Sequence, residues 1–102
     1  MQITLPEKIG FTVYSKSGCQ NCLKIKTLLK SNQLKYTIID CDEYLMEDKD
    51  LFKENMKKMI NLENTNALFF PMIFNDEKYI GGYNETLVCI EKLFLSFENL
   101  SF

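Results

Sequence analysis

The hydrophobic and polar positions change rhythm several times along this chain. Phe11 to Ser15 (FTVYS) is a β-branched and aromatic run that predicts a buried strand. Ser17-Gly18 breaks it. From about Cys19 to Ser31 the apolar positions Cys22, Ile25, Leu28 and Leu29 fall on one side of a helix. Asn32-Gln33 reads as a turn and Tyr36 to Cys41 (YTIIDC) as a second strand. Met46 to Leu62 predicts a long amphipathic helix with Phe52, Met56, Met59 and Ile60 inward, and the polar stretch Glu63 to Asn66 ends it. Pro71 to Asn75 (PMIFN) is a third strand, Asn75-Asp76-Glu77 a hairpin turn, and Lys78 to Ile80 a short fourth strand. Gly81-Gly82 leads into a last helix, about Asn84 to Phe97, with Leu87, Ile90, Phe94 and Phe97 at helical spacing. At the start, Pro6-Glu7-Lys8 offers a short helical turn.

The order is βαβα followed by ββα. Its first half needs a right-handed crossover between parallel strands, and the hairpin adds antiparallel pairing. An α/β fold with one small mixed sheet flanked by helices satisfies both. No repeat or Pro/Gly/Ser-rich linker divides the 102 residues, so residues 1–102 are expected to form a single domain.

Composition narrows the chemistry. With 12 basic and 14 acidic residues the formal charge is −2, and every basic residue is lysine; Arg, His and Trp are absent. Ser-His-Asp and Cys-His catalytic pairs, His-based metal sites and bidentate Arg clamps are thereby excluded. A pI near 5.1 and no basic run argue against a nucleic-acid partner. The longest apolar stretch, Ala67 to Phe74, is far too short to span a membrane, and the N-terminus lacks the features of a signal peptide. The abundance of Lys, Asn, Ile, Phe and Tyr is the bias of an AT-rich genome. A cytoplasmic protein is expected, in the host cytoplasm if the source is viral.

Among the four cysteines, Cys19-Gln20-Asn21-Cys22 stands between a predicted strand and a predicted helix. A C-x-x-C beside a βαβ pattern in an intracellular chain reads as a redox dithiol. At the first turn of a helix, unpaired N–H groups and the positive dipole end stabilise a thiolate, and Lys16 adds a cation. Both lower a thiol pKa from about 8.5 toward neutrality. Cys19 is then the exposed nucleophile and Cys22, one turn on, the resolving thiol. A structural disulfide closing so small a loop contributes only about 2 kcal/mol. Zinc would need Cys41 and Cys89 to join, without a second C-x-x-C; two unrelated buried cysteines complete the alternatives. Cys41, between Asp40 and Asp42, is expected to have a raised pKa, and Cys89 to be a packing residue.

Three motifs occur in order: Tyr14-Ser15-Lys16-Ser17-Gly18-Cys19-Gln20-Asn21-Cys22, then Phe70-Pro71, then Gly81-Gly82-Tyr83-Asn84-Glu85. Together they resemble a glutaredoxin of the dithiol type over nearly the whole chain. The resemblance implies a thioredoxin-like fold with a central four-stranded mixed sheet flanked by three or more helices. It also implies reduction of protein disulfides and glutathione mixed disulfides, with glutathione as electron donor. Carried over by position, Cys19 matches the nucleophile, Cys22 the resolving cysteine, Lys16 the lysine ahead of the motif, and Pro71 a cis-proline that frees the Phe70 backbone to pair with an extended peptide. Gly82, Tyr83 and Asn84 would hold the γ-glutamyl carboxylate at a helix start; a plain helix start capped by Asn84 is the other reading, and both can hold together. Lys53 and Lys57 are candidates for the glycyl carboxylate.

The chain also departs from the family. Gln-Asn separates the cysteines in place of the common Pro-Tyr, so the reduction potential does not carry over. That change also resembles members sharing a [2Fe–2S] cluster between subunits. Phe69-Phe70 replaces the usual Thr-Val and makes the groove bulkier, while Asn84-Glu85 replaces the usual Asp-Asp. The expected protein is a monomer in electron transport and cell redox homeostasis, with no resident metal. A thioredoxin-like redoxin served by a reductase and a [2Fe–2S] carrier or scaffold are the rival readings. Without arginine, any charged grip on glutathione is lysine plus backbone N–H, which predicts weak, salt-sensitive affinity.

Overall fold

In the computed structural model, residues 1–61 and 67–100 are described, apart from the side chains of 96–100. β1 (Phe11–Ser15) is buried at all five positions because it lies inside the sheet. It pairs in parallel with β2 (Tyr36–Asp40) and antiparallel with β3 (Met72–Asn75); β4 (Lys78–Gly81) completes the order β2-β1-β3-β4. The helices are α1 (Gln20–Ser31), α2 (Asp42–Met59) and α3 (Tyr83–Leu100). The four-stranded mixed sheet with three helices is the expected thioredoxin-like arrangement.

The two-residue period of the strands builds two cores. Phe11, Val13 and Ile73 pack with Ile25 and Leu29 of α1 and Ile90 of α3. Tyr14, Met72 and Phe74 pack on the other side with Phe52 and Met56 of α2, Ile60 and Ile3. The loop between β3 and β4 is Asp76-Glu77, both at positive φ (49° and 70°), the pattern of a tight hairpin turn. The Asp76 carboxylate accepts the Gly10 N–H at 2.7 Å.

Several boundaries differ from the sequence expectation. α2 begins at Asp42, not Met46, and is interrupted at Asp48, whose backbone is extended (φ −160°, ψ 96°). Asp48 Oδ1 accepts the Leu51 N–H at 3.0 Å, so Asp48 caps a second helical piece. This break shifts the apolar phase, which is why a continuous stripe is visible only from the second piece onward. β2 ends at Asp40 because Cys41 turns into α2 and gives its N–H to Ser15 O at 2.8 Å. Pro71 precedes β3, and β4 extends to Gly81. No helical turn forms at Pro6-Glu7-Lys8; the Glu7 N–H goes to the Thr12 hydroxyl at 2.9 Å.

α3 starts at Tyr83, with Leu87 half-buried and Ile90 buried, but Phe94 is exposed. An 18-residue helix spans about 27 Å, whereas a five-residue strand covers roughly 17 Å, so its last turns outrun the sheet. The expected helix end at Leu62, the stretch Glu63 to Asn66 and the Phe97 side chain lie outside the described residues.

Candidate functional site

β1 ends at Ser15, and Lys16, Ser17 and Gly18 carry the chain to α1. Gly18 has φ +71°, a conformation costly for residues with a Cβ. Cys19 caps α1 in extended conformation (φ −107°, ψ 107°), and its Sγ accepts the Cys22 N–H at 3.2 Å. The sulfur therefore occupies the position where an N-cap oxygen normally satisfies a free amide of the first turn. Cys22 is 1% exposed on the inward face of α1, whereas Cys19 is half-buried. The two are joined as a disulfide with Cα atoms 5.2 Å apart. The Phe70–Pro71 peptide is cis, in line with the expectation for Pro71.

Three clefts surround the dithiol segment. The first, about 390 Å³, is lined by Lys16, Cys19, Cys22, Leu23, Lys26 and Asp40 among others. The second, about 260 Å³, brings together Phe70, Pro71, Gly82, Tyr83 and Asn84 with Asn21, Tyr79 and Glu85. The third, about 360 Å³, holds Lys16, Lys53 and Phe70 with Lys49, Leu45, Phe52 and Leu68. Lys16 thus borders the first and third clefts, and Phe70 the second and third. Lys16 Nζ sits 5.7 Å from the Phe70 ring centroid, a cation–π distance. Behind that ring, Phe52 and then Tyr44 stack at 6.0 and 5.7 Å between centroids. Lys57 lines none of the three clefts.

At the start of α3, Gly82 and not Asn84 takes the cap position. Gly82 O accepts the Thr86 N–H at 3.1 Å, and Glu85 Oε1 accepts the Gly82 N–H at 2.9 Å. This is the returning half of a capping box. Gly81 lies at φ +133°, and a Cβ there would meet Glu85 Oε1 at 2.8 Å, so glycine is required.

Sequence reasoning missed Lys49 and Asp42. Lys49 stands four residues before Lys53, a same-face spacing that was available as a signal. Asp42 was overlooked because the helix start was expected at Met46. Its carboxylate accepts the Ser17 N–H at 2.9 Å on Oδ1 and the Ser17 hydroxyl on Oδ2. These two bonds, the hydroxyl's first, together with nearby Lys16 hold the Asp42 carboxyl below its ordinary pKa.

The remaining cysteines do not reach the clefts. Cys41 is fully buried, and burial pushes its thiol up to about 12, with Asp40 and Asp42 acting in the same direction and a hydrogen bond with the Ser15 backbone opposing. The carboxylates work in the expected direction, but desolvation is the larger cause. Cys89 is half-buried against the core built on Phe11, Val13 and Ile73. Among the described residues, no group of three or more His, Cys, Asp and Glu is arranged to hold a metal ion.

A glutaredoxin sequence-family model matches residues 11–80, from β1 into β4. Glutaredoxin 1 of Rickettsia bellii is 32% identical over 73 residues, which cover 72% of this chain and 68% of that protein. Glutaredoxin 1 of Rickettsia conorii is 31% identical over 72 residues, covering 69% and 61%. Among solved structures, Francisella tularensis glutaredoxin 1 in complex with cacodylate superposes with a TM-score of 0.65 at 23% identity, covering 82% of this chain and 94% of that one. The buckwheat glutaredoxin–glutathione complex gives 0.63 at 23% identity, covering 80% and 68%.

Proposed function

The chain belongs to the glutaredoxin family of thiol–disulfide oxidoreductases, and from that premise we propose that glutathione supplies its electrons through Cys19. The observation that carries the reading is the Cys19 sulfur, which accepts the Cys22 N–H in the first turn of α1 and borders a cleft. In the reduced protein the Cys19 thiolate attacks a substrate disulfide; the sulfur–sulfur bond breaks, and the departing thiolate takes up a proton. For a protein disulfide, Cys22 then attacks Cys19 and releases the second substrate thiol. Two glutathione molecules reduce the resulting Cys19–Cys22 disulfide and leave as oxidised glutathione. For a glutathionylated protein, Cys19 takes the glutathionyl group and a second glutathione removes it.

The groove of Phe70, Pro71, Gly82, Tyr83 and Asn84 is the seat for the γ-glutamyl end. Support comes from the first-turn amides of Tyr83 and Asn84, a site suited to a carboxylate. Glu85, on the same groove, is an acceptor for the γ-glutamyl ammonium. The glycyl carboxylate goes to the lysine cleft, which Lys16, Lys49, Lys53 and Phe70 line together. Lys57 drops from that assignment. Disulfide-containing and glutathionylated proteins are the substrates, and the protein acts as a monomer in the cytoplasm without nucleic-acid or membrane partners. Among the described residues no helix is long and apolar enough to cross a membrane.

Oxidised glutathione added to the reduced Cys22→Ser variant tests this directly. Peptide mass mapping is expected to find the glutathionyl adduct on Cys19. An adduct confined to Cys41 or Cys89 would overturn the assignment.

A further inference from the structure

We propose that Asp42 is a positioning residue for the exchange reaction, holding the Lys16–Gly18 turn so that the Cys19 sulfur stays on the first turn of α1. The proposal rests on Cys19 as the nucleophile and extends that reading to a residue on a different helix. The turn projects from the fold: Lys16, Ser17 and Gly18 are exposed, and a Cβ on Gly18 would meet nothing within 4 Å. Packing therefore does little to fix it. Hydrogen bonds do: Asp42 accepts both donors of Ser17, two residues before Cys19.

Asp42 is itself anchored. Its own N–H donates to Asp40 Oδ1 at 3.0 Å, and the neighbouring Cys41 N–H donates to Ser15 O at 2.8 Å. The junction of β2 with α2 thus clamps the junction of β1 with α1 on both sides of Lys16. A one-residue slip of this turn would carry Cys19 off the cap geometry (ψ 107°) that points its sulfur at the Cys22 amide.

Position and charge act in opposite senses here. The Asp42 carboxylate, held on Ser17 two residues before Cys19, is an anion, and by charge alone it disfavours a thiolate at Cys19. The other charged groups around the dithiol cleft are Lys16 on the turn, Lys26 on α1 and Asp40 on β2. A catalytic benefit from Asp42 must therefore come from holding the turn. Asparagine separates the two effects: its oxygen accepts the Ser17 N–H and its amide donates to the Ser17 hydroxyl, without charge.

The test compares Asp42→Asn with Asp42→Ala, both in otherwise full-length protein. The readouts are kcat for reduction of a small glutathione mixed disulfide and the pH midpoint of Cys19 alkylation in the reduced form. Both variants lose the charge, and only alanine loses the tether. Alanine is expected to turn over about tenfold more slowly than asparagine, the scale of losing two neutral hydrogen bonds. Its alkylation midpoint should also lie above that of asparagine. Equal turnover and equal midpoints in the two variants would overturn the proposal. If the alanine variant fails to fold, Ser17→Ala replaces it, with a smaller loss of about threefold because the amide bond to Asp42 remains; no loss in that variant would also overturn it. A wild-type Cys19 no more reactive than Cys89 would instead refute the nucleophile itself, a distinct outcome.

Discussion

Cys19 and Cys41 occupy equivalent places in successive βα units, each capping the helix that follows its strand. Their surroundings are opposite. At Cys19 the backbone is extended (ψ 107°), the sulfur swings back onto the helix and accepts an amide, and one side stays open to a cleft. At Cys41 ψ is 4°, no side-chain cap bond forms, and the sulfur turns inward toward Ile39 O at 3.6 Å. There it lies with Ile3, Tyr14 and Phe52 in the core. A helix N-terminus by itself therefore does not activate a thiol; the cap torsion and the path to solvent decide whether the dipole end reaches sulfur at all.

The largest expected contrast is in turnover. Cys19→Ser should lower glutathione-dependent reduction of a small mixed disulfide by more than about a hundredfold, the scale of removing a covalent nucleophile. Cys41→Ala should stay within about twofold, since Cys41 lines none of the three clefts. Cys22→Ser divides substrates: it should retain part of the activity on small mixed disulfides and lose the activity on protein disulfides, measured side by side.

Next comes the pH dependence of stability. The Cys41 thiol is raised from 9.0 to about 12, so across that window the unfolded chain releases a proton that the folded chain keeps. The folded state then binds more protons, and stability falls as pH rises, by up to about 1.4 kcal/mol per pH unit for one group. Tyr14, likewise raised by burial, adds the same sign at the upper end. Urea titrations between pH 9 and 11 should show a shallower decline for Cys41→Ala than for wild type. Parallel curves would show that the Cys41 thiol does not carry this pH dependence.

The smallest effects belong to the lysine cleft. Lys49→Gln and Lys53→Gln are each expected to raise the KM for glutathione about threefold with little change in kcat, the range of exposed ion pairs. Added salt should narrow the difference from wild type. Lys57→Gln should move KM less.

The dithiol and its strand–helix setting were legible because they depend on local signals: a β-branched and aromatic run in FTVYS, period 3.6 in α1, and a short spacing between cysteines. The start of α2 was hidden because Asp48 breaks the helical phase, and a single phase was assumed from Met46 onward. The Asp42–Ser17 link was hidden for a different reason, since it joins residues 25 positions apart that meet only through the parallel pairing of β1 and β2. Lys49 was visible as a same-face neighbour of Lys53, but its place beside Phe70 depends on how α2 docks. The exposed Phe94 shows the converse error, in which a regular stripe outlasts the sheet it was assumed to cover.

Cap geometry together with the path to solvent, and not helix position alone, should set the reactivity of these two thiols. The direct measurement is the rate of alkylation of each cysteine in the reduced, folded protein as a function of pH, resolved by peptide mass mapping. Cys19 should react with a midpoint well below the ordinary thiol value of about 8.5, while Cys41 stays unmodified until the chain unfolds. Equal rates at Cys19 and Cys41, or a Cys19 midpoint at or above that of an ordinary thiol, would contradict it.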